Sequence, residues 1–117
     1  MTTSAISVGV VGLGLMGCSI TTCLLMAGHQ VVAVAPLPID VPTAQPRIHE
    51  HLQKSQAEGL TTFAPEHFFA QLTITEDYHL LADCALVIEC TLESLPIKKS
   101  VYEKIEAVVS KDAIITS

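Results

Sequence analysis

Two stretches of this 117-residue chain carry residue types at spacings that can do chemistry. The first is Gly12-Leu13-Gly14-Leu15-Met16-Gly17, a G-x-G-x-x-G pattern. It follows a short apolar, β-branched run, Ile6–Val11, and opens a stretch of small and aliphatic residues, Met16–Ala27. Between a strand and a helix each glycine has a task. Gly12 permits the tight turn, Gly14 leaves the backbone open to a pyrophosphate, and Gly17 lets helix and strand pack closely. The helix N-terminus offers unpaired N–H groups and partial positive charge to the phosphates. These residues therefore predict a dinucleotide-binding loop.

The second stretch runs from Val87 through Glu89, Glu93 and Ser94 to Lys98-Lys99. It reads as the end of a central strand, a loop and the start of an amphipathic helix. Ligands of open α/β sheets lie off the carboxyl ends of strands, so Glu89 to Ser94 are expected to face the cofactor crevice. Glu93 is also an ordinary acid for a helix N-terminus, and Lys98 an ordinary surface lysine.

One expected element is missing. A dinucleotide site usually carries Asp or Glu at the end of its second strand to grip the adenosine ribose. Here Val34 is followed by Ala35 and Pro36, and the nearest acid is Asp40, beyond two prolines. No Arg or Lys stands close in sequence to favour a 2′-phosphate, so the residues do not support NADP. The expectation is weak or poorly discriminating NAD binding, tightened by Ala35→Asp.

The elements that must hold these residues follow from the pattern of apolar runs. Ile6–Val11, Val31–Val34, Leu72–Thr75, Ala85–Glu89 and Ala113–Thr116 read as strands. Helices are expected over Met16–Ala27, Arg47–Glu58, Pro65–Leu72 and Ser94–Val109, with Gly28 and Gly59 ending the first two. Prolines 36, 38, 42 and 46 predict an irregular, extended connection before the second helix. Strands apolar on both faces, alternating with helices, predict a doubly wound, mainly parallel sheet of Rossmann type in a single domain.

Composition narrows the function. All 18 charged residues lie from Asp40 onward, and the net charge is -6. An acidic balance without a basic cluster argues against nucleic acid. Val8 to Gly28 is uncharged and long enough to span a membrane, but five of the six glycines fall there, and no Arg or Lys precedes Arg47. The uncharged opening instead fits a buried strand, a phosphate loop and a buried helix, and neither a membrane span nor an export signal is expected. Cys18, Cys23, Cys84 and Cys90 have no C-x-x-C spacing, and His49 and His51 diverge on a helix, so no metal site is expected. The cysteines read as small buried thiols in a reducing cytoplasm.

Together with Ala27-Gly28-His29-Gln30-Val31-Val32, Leu86-Val87-Ile88-Glu89, Glu93-Ser94-Leu95-Pro96-Ile97-Lys98-Lys99 and the closing Ile114-Ile115-Thr116-Ser117, the glycine loop resembles the NAD-binding domain of 3-hydroxyacyl-CoA dehydrogenases. The resemblance covers nearly the whole chain. It implies oxidation of an L-3-hydroxyacyl-CoA to the 3-ketoacyl-CoA, with hydride passing to NAD, as in fatty-acid β-oxidation. It assigns the pyrophosphate to Gly12–Gly17 and the nicotinamide half to Glu93 and Lys98.

Departures from the family lie at Ala35, in place of its acid, and in the following helix. There, relatives set a serine and lysines against the CoA nucleotide, and this chain offers His51, Lys54 and Glu58, leaving Lys54 as the candidate for acyl-CoA. The family's catalytic His–Glu pair and its helical substrate and dimerisation domain come after the strand that ends at Ser117. The expectation is therefore a domain of residues 1–117 that binds the dinucleotide without turning over, homodimeric only in a full-length enzyme. His29 lies at the far end of the first helix, and His49, His51, His67 and His79 have no acid partner evident in sequence and read as surface or boundary residues. Two other readings use the same residues: the cofactor domain of a 3-hydroxyisobutyrate-like dehydrogenase, and a non-catalytic nucleotide-sensing or interaction module.

Overall fold

The computed structural model of the chain describes residues 6–91 and 95–116. Within them, strands β1 (Ser7–Val11), β2 (Gln30–Val34), β3 (Leu72–Thr75), β4 (Leu86–Glu89) and β5 (Ile114–Thr116) alternate with helices α1 (Leu15–Met26), α2 (Asp40–Ala57), α3 (Pro65–Phe69) and α4 (Leu95–Glu106). The strands form one sheet in the order β3-β2-β1-β4-β5, and every adjacent pair is parallel. This is the doubly wound Rossmann order, with the direction of winding reversing between β1 and β4.

The two faces of the sheet carry separate cores. Val10, Val31 and Ala33 pack with Leu13, Cys18 and Leu25, and with Ala44, Ile48 and Leu52 of α2. On the opposite face Val11, Val34 and Val87 meet Val101 and Ile105 of α4 and Leu81 of a single 3-10 turn, Tyr78–Leu81. Residues adjacent along a strand thus serve opposite cores, which explains strands apolar on both faces. Gly9 of β1 makes room for that turn: a β-carbon there would lie 2.4 Å from Leu81 Cδ2.

Gly28 ends α1 in the left-handed region, with φ of 93°. Its N–H donates to the Leu25 carbonyl and that of His29 to Leu24, closing the last turn in a Schellman arrangement.

The connection after β2 departs from the expectation. Instead of an extended proline segment, α2 begins at Asp40 and takes in both Pro42 and Pro46. Pro42 lies in the first turn, where its missing N–H would be unpaired in any case. Pro46 lies inside the helix and deprives the Pro42 carbonyl of its usual donor. Tertiary packing outweighs that loss. Ala44, Ile48, Leu52 and Ser55 are buried at helical spacing, and Ala44, Ile48 and Leu52 are fully enclosed. Burial of each large side chain is worth about 1.5–3 kcal/mol.

The uncharged opening third also needs a different account. Leu15 and Met16 at the start of α1 are 73% and 70% exposed, and Ser19 and Cys23 on that helix are exposed as well. That surface is uncharged without being buried.

Candidate functional site: a glycine-lined cleft

The strand register creates the site. Val11 pairs with both Val34 and Glu89, so β1, β2 and β4 end level with one another. Gly12, Ala35 and Cys90 therefore leave the sheet side by side at the point where the winding reverses. The Gly12 N–H donates to the Val34 carbonyl at 2.9 Å, and the Cys90 N–H donates to the Val11 carbonyl at 2.7 Å. A cleft of about 380 Å³ opens above these ends, lined by Gly12, Leu13, Gly14, Leu15, Pro36, Leu37, Asp40, Arg47, Cys90, Thr91 and Ile97.

The three glycines of the loop differ in what surrounds them. At Gly12, φ is 105° and an added β-carbon would meet the Cys90 carbonyl group at 2.7 Å. At Gly17 it would sit 1.8 Å from the Gly12 carbonyl oxygen. Gly14 is the opposite case, with nothing within 4 Å of an added β-carbon. Close approach of loop to strand thus requires Gly12 and Gly17, while Gly14 leaves open space for a ligand against bare backbone. Gly14 is also the N-cap of α1 and no acid occupies the first turn of that helix, so its N–H groups and positive end remain available to an anion. A pyrophosphate fits such a cradle.

The far side of the cleft is organised by Glu89. Its side chain is fully buried at the end of β4, and Lys98 Nζ donates to Oε1 at 2.7 Å. The Thr91 N–H donates to Oε2 at 2.6 Å, and the Thr91 hydroxyl donates to the same oxygen. One carboxylate therefore ties strand β4, the loop after it and the first turn of α4. Lys98 beside a helix N-terminus is electrostatically disfavoured, and the Glu89 charge compensates it. Burial raises the Cys90 thiol above its ordinary pKa, with Glu89 adding to the shift and Lys98 opposing it.

Of the residues expected at the site, Gly12, Leu13, Gly14 and Leu15 line the cleft, while Gly17 acts behind it through packing. Met16 is exposed outside the lining. Ala35 is 2% exposed and sits in the core, its N–H donating to Thr75 at 2.8 Å, and Pro36 and Leu37 take the lining position. Lys98 stands just behind the lining residue Ile97, held by Glu89. Glu93 lies outside the described residues. Lys54 is exposed on α2 and paired with Glu50 at 3.4 Å.

Sequence reasoning passed over Arg47. Because α2 starts early, Arg47 falls in its second turn and reaches back to the glycine loop, where Nη1 donates to the Leu13 carbonyl at 3.5 Å. A cation does stand in the cleft, contrary to the reading from sequence proximity. Asp40 and Arg47 are its charged residues among the described lining. The spacing Ala44–Ile48–Leu52 carries helical periodicity upstream of Arg47, and was the available signal. The histidines also need correction. His49 pairs with Glu66 at 3.4 Å and His79 with Asp77 at 3.0 Å, but neither pair lines the cleft.

A family model described as 3-hydroxyacyl-CoA dehydrogenase, NAD binding domain, matches residues 7–117. The chain belongs to this family. Its cofactor is NAD, and the glycine cradle fits that group. A 3-hydroxybutyryl-CoA dehydrogenase of Mycobacterium tuberculosis is 31% identical over 112 residues, covering 94% of this chain and 39% of the relative. The crystal structure of FadB2 from M. tuberculosis superposes with a TM-score of 0.87 at 31% identity, covering 97% of this chain and 41% of that one. An (S)-3-hydroxybutyryl-CoA dehydrogenase from Ralstonia eutropha gives 0.86 at 25% identity, again over 97% of this chain and 41% of the other. The chain spans 15% to 39% of the length of the first curated relatives it matches. What the 3-hydroxyacyl-CoA dehydrogenase family shares with it is the cofactor domain.

Proposed function

We propose that residues 1–117 are the cofactor domain of an enzyme that oxidises an L-3-hydroxyacyl-CoA to the 3-ketoacyl-CoA in fatty-acid metabolism. The observation that carries this reading is the open space at Gly14 above the β1–β4 reversal, in a chain of this family. NAD supplies the hydride acceptor. The loop from Gly12 to Gly17 and the N-terminus of α1 hold its pyrophosphate, Pro36 and Leu37 after Ala35 flank the adenosine, and Glu93 and Lys98 meet the nicotinamide half. Glu89 holds the Lys98 ammonium in place beside the cleft.

Hydride transfer also needs a base for the hydroxyl proton. No histidine lines the cleft among the described residues. The proposal therefore places the base in another part of the enzyme, together with the surfaces for acyl-CoA and homodimer formation, with Lys54 contributing to the CoA. A cytoplasmic setting belongs to the same reading. It is supported by four free cysteines, and no helix among the described residues is long and apolar enough to cross a membrane.

The test is a titration of the chain with NAD and NADH, followed by dehydrogenase assay of the full-length protein on 3-hydroxyacyl-CoA and on free 3-hydroxy acids. Binding of both cofactors with turnover of the thioester alone is expected. Preference for the free acid would shift the assignment to a hydroxyisobutyrate-like enzyme. Absence of any cofactor binding would leave an interaction module.

A further inference from the structure

We infer that the adenosine end of this cleft admits a 2′-phosphate, so that the domain takes NADP alongside NAD, with Arg47 as the specificity-determining residue. The inference rests on the dinucleotide reading proposed above. In a Rossmann cleft, discrimination resides at the end of the second strand, where a carboxylate accepts hydrogen bonds from the ribose and repels a 2′-phosphate. Here that position is Ala35, whose methyl is packed in the core and whose N–H is bound to Thr75. The repelling group is absent from its usual place.

An attracting group is present instead. Arg47 lines the cleft together with Gly12, Pro36 and Leu37. Gly12 belongs to the pyrophosphate loop, and Pro36 and Leu37 follow directly on β2. Arg47 therefore shares one cleft with the phosphate loop and with the segment on which the adenosine ribose rests. Its guanidinium donates to the Leu13 carbonyl and bonds the Cys18 thiol, and it carries five N–H groups in a planar fork suited to phosphate oxygens. Asp40 shares the lining and offsets the net charge, but it is the first residue of α2, five positions past the end-of-strand site. A 2′-phosphate would thus enter a cleft of balanced charge containing an arginine, in place of one guarded by a carboxylate.

Calorimetric titration of the full chain with NAD and with NADP tests this. The two dissociation constants are expected to agree within about tenfold, with NADP affinity falling more steeply as salt is added. Arg47→Gln is expected to raise the NADP-to-NAD ratio of dissociation constants by about tenfold, and Arg47→Lys, which keeps the charge, by much less. Circular dichroism melts check that each variant is folded. A wild-type preference for NAD of about a hundredfold or more overturns the inference, as does an Arg47→Gln that weakens both cofactors equally. In those outcomes NAD still binds and the cofactor reading stands. Failure of both cofactors to bind overturns that reading and this inference with it.

Discussion

A β-carbon added at Gly17 would collide with the Gly12 carbonyl oxygen, whereas one added at Gly14 would project into empty cleft. The same substitution at these two positions therefore separates folding from binding. Gly17→Ala forces the start of α1 away from β1 and is expected to lower stability by about 3 kcal/mol in denaturant unfolding. Gly14 has φ of -74° and ψ of -161°, which alanine adopts without strain. Gly14→Ala should change stability by less than about 0.5 kcal/mol while weakening NAD binding about tenfold or more. A Gly14→Ala domain that binds NAD normally would mean that the pyrophosphate lies elsewhere. The cysteines supply a second residue-level test. Cys23 is exposed, whereas burial raises the thiols of Cys18, Cys84 and Cys90. A disulfide-exchange reagent at neutral pH should modify one thiol rapidly, Cys23, and Cys90 slowly. Saturating NAD should slow Cys90 further, because Cys90 lines the cleft.

At the scale of elements, the strands and the glycine loop were legible because their signals are local. A run of β-branched residues ending in G-x-G-x-x-G needs no distant information, and all five strands fell within a residue of their expected places. The segment after β2 was misread because proline's local cost is visible in sequence, while the burial of Ala44 and Ile48 that offsets it depends on the rest of the fold. That one misreading hid Arg47. If packing does hold α2 together across Pro46, then Pro46→Ala at this exposed position should restore the missing hydrogen bond and raise the melting temperature by several degrees. A lowered melting temperature would show that the proline ring itself contributes. The link from β4 to α4 makes the converse case. Glu89→Gln leaves the Lys98 ammonium without its buried counter-charge, a change that costs about 3–5 kcal/mol when the pair is fully enclosed and less here, since the lysine is a quarter exposed. Its effect on stability and on NAD affinity should be largely suppressed in the double variant with Lys98→Met, as a double-mutant cycle would show.

For the whole molecule, the distribution of titrating groups sets which extreme of pH is damaging. Asp77 and Glu66 have lowered carboxylate pKa values, stabilised mainly by backbone hydrogen bonds and secondarily by His79 and His49. Both are exposed, so protonating them costs little as pH falls below the usual carboxylate range. The alkaline side differs. Cys84 is enclosed behind β1 and β4, and burial, with Asp83 adding to it, pushes its thiol up to about 11 from 9.0. The folded chain therefore keeps that proton while the unfolded chain releases it. Stability from this source is complete below pH 9 and is lost as pH rises from about 9 towards 11, by about 3 kcal/mol in all. Tyr78, raised by burial on the same side of the sheet, acts in the same direction at higher pH. Thermal melts across this range should show a steep alkaline decline. Cys84→Ala, though less stable at neutral pH, should flatten the decline between pH 9 and 11, because no thiol then distinguishes the two states. An unchanged slope in that variant would assign the alkaline loss to general charge repulsion in this acidic chain, and would remove the α4-side core as its source.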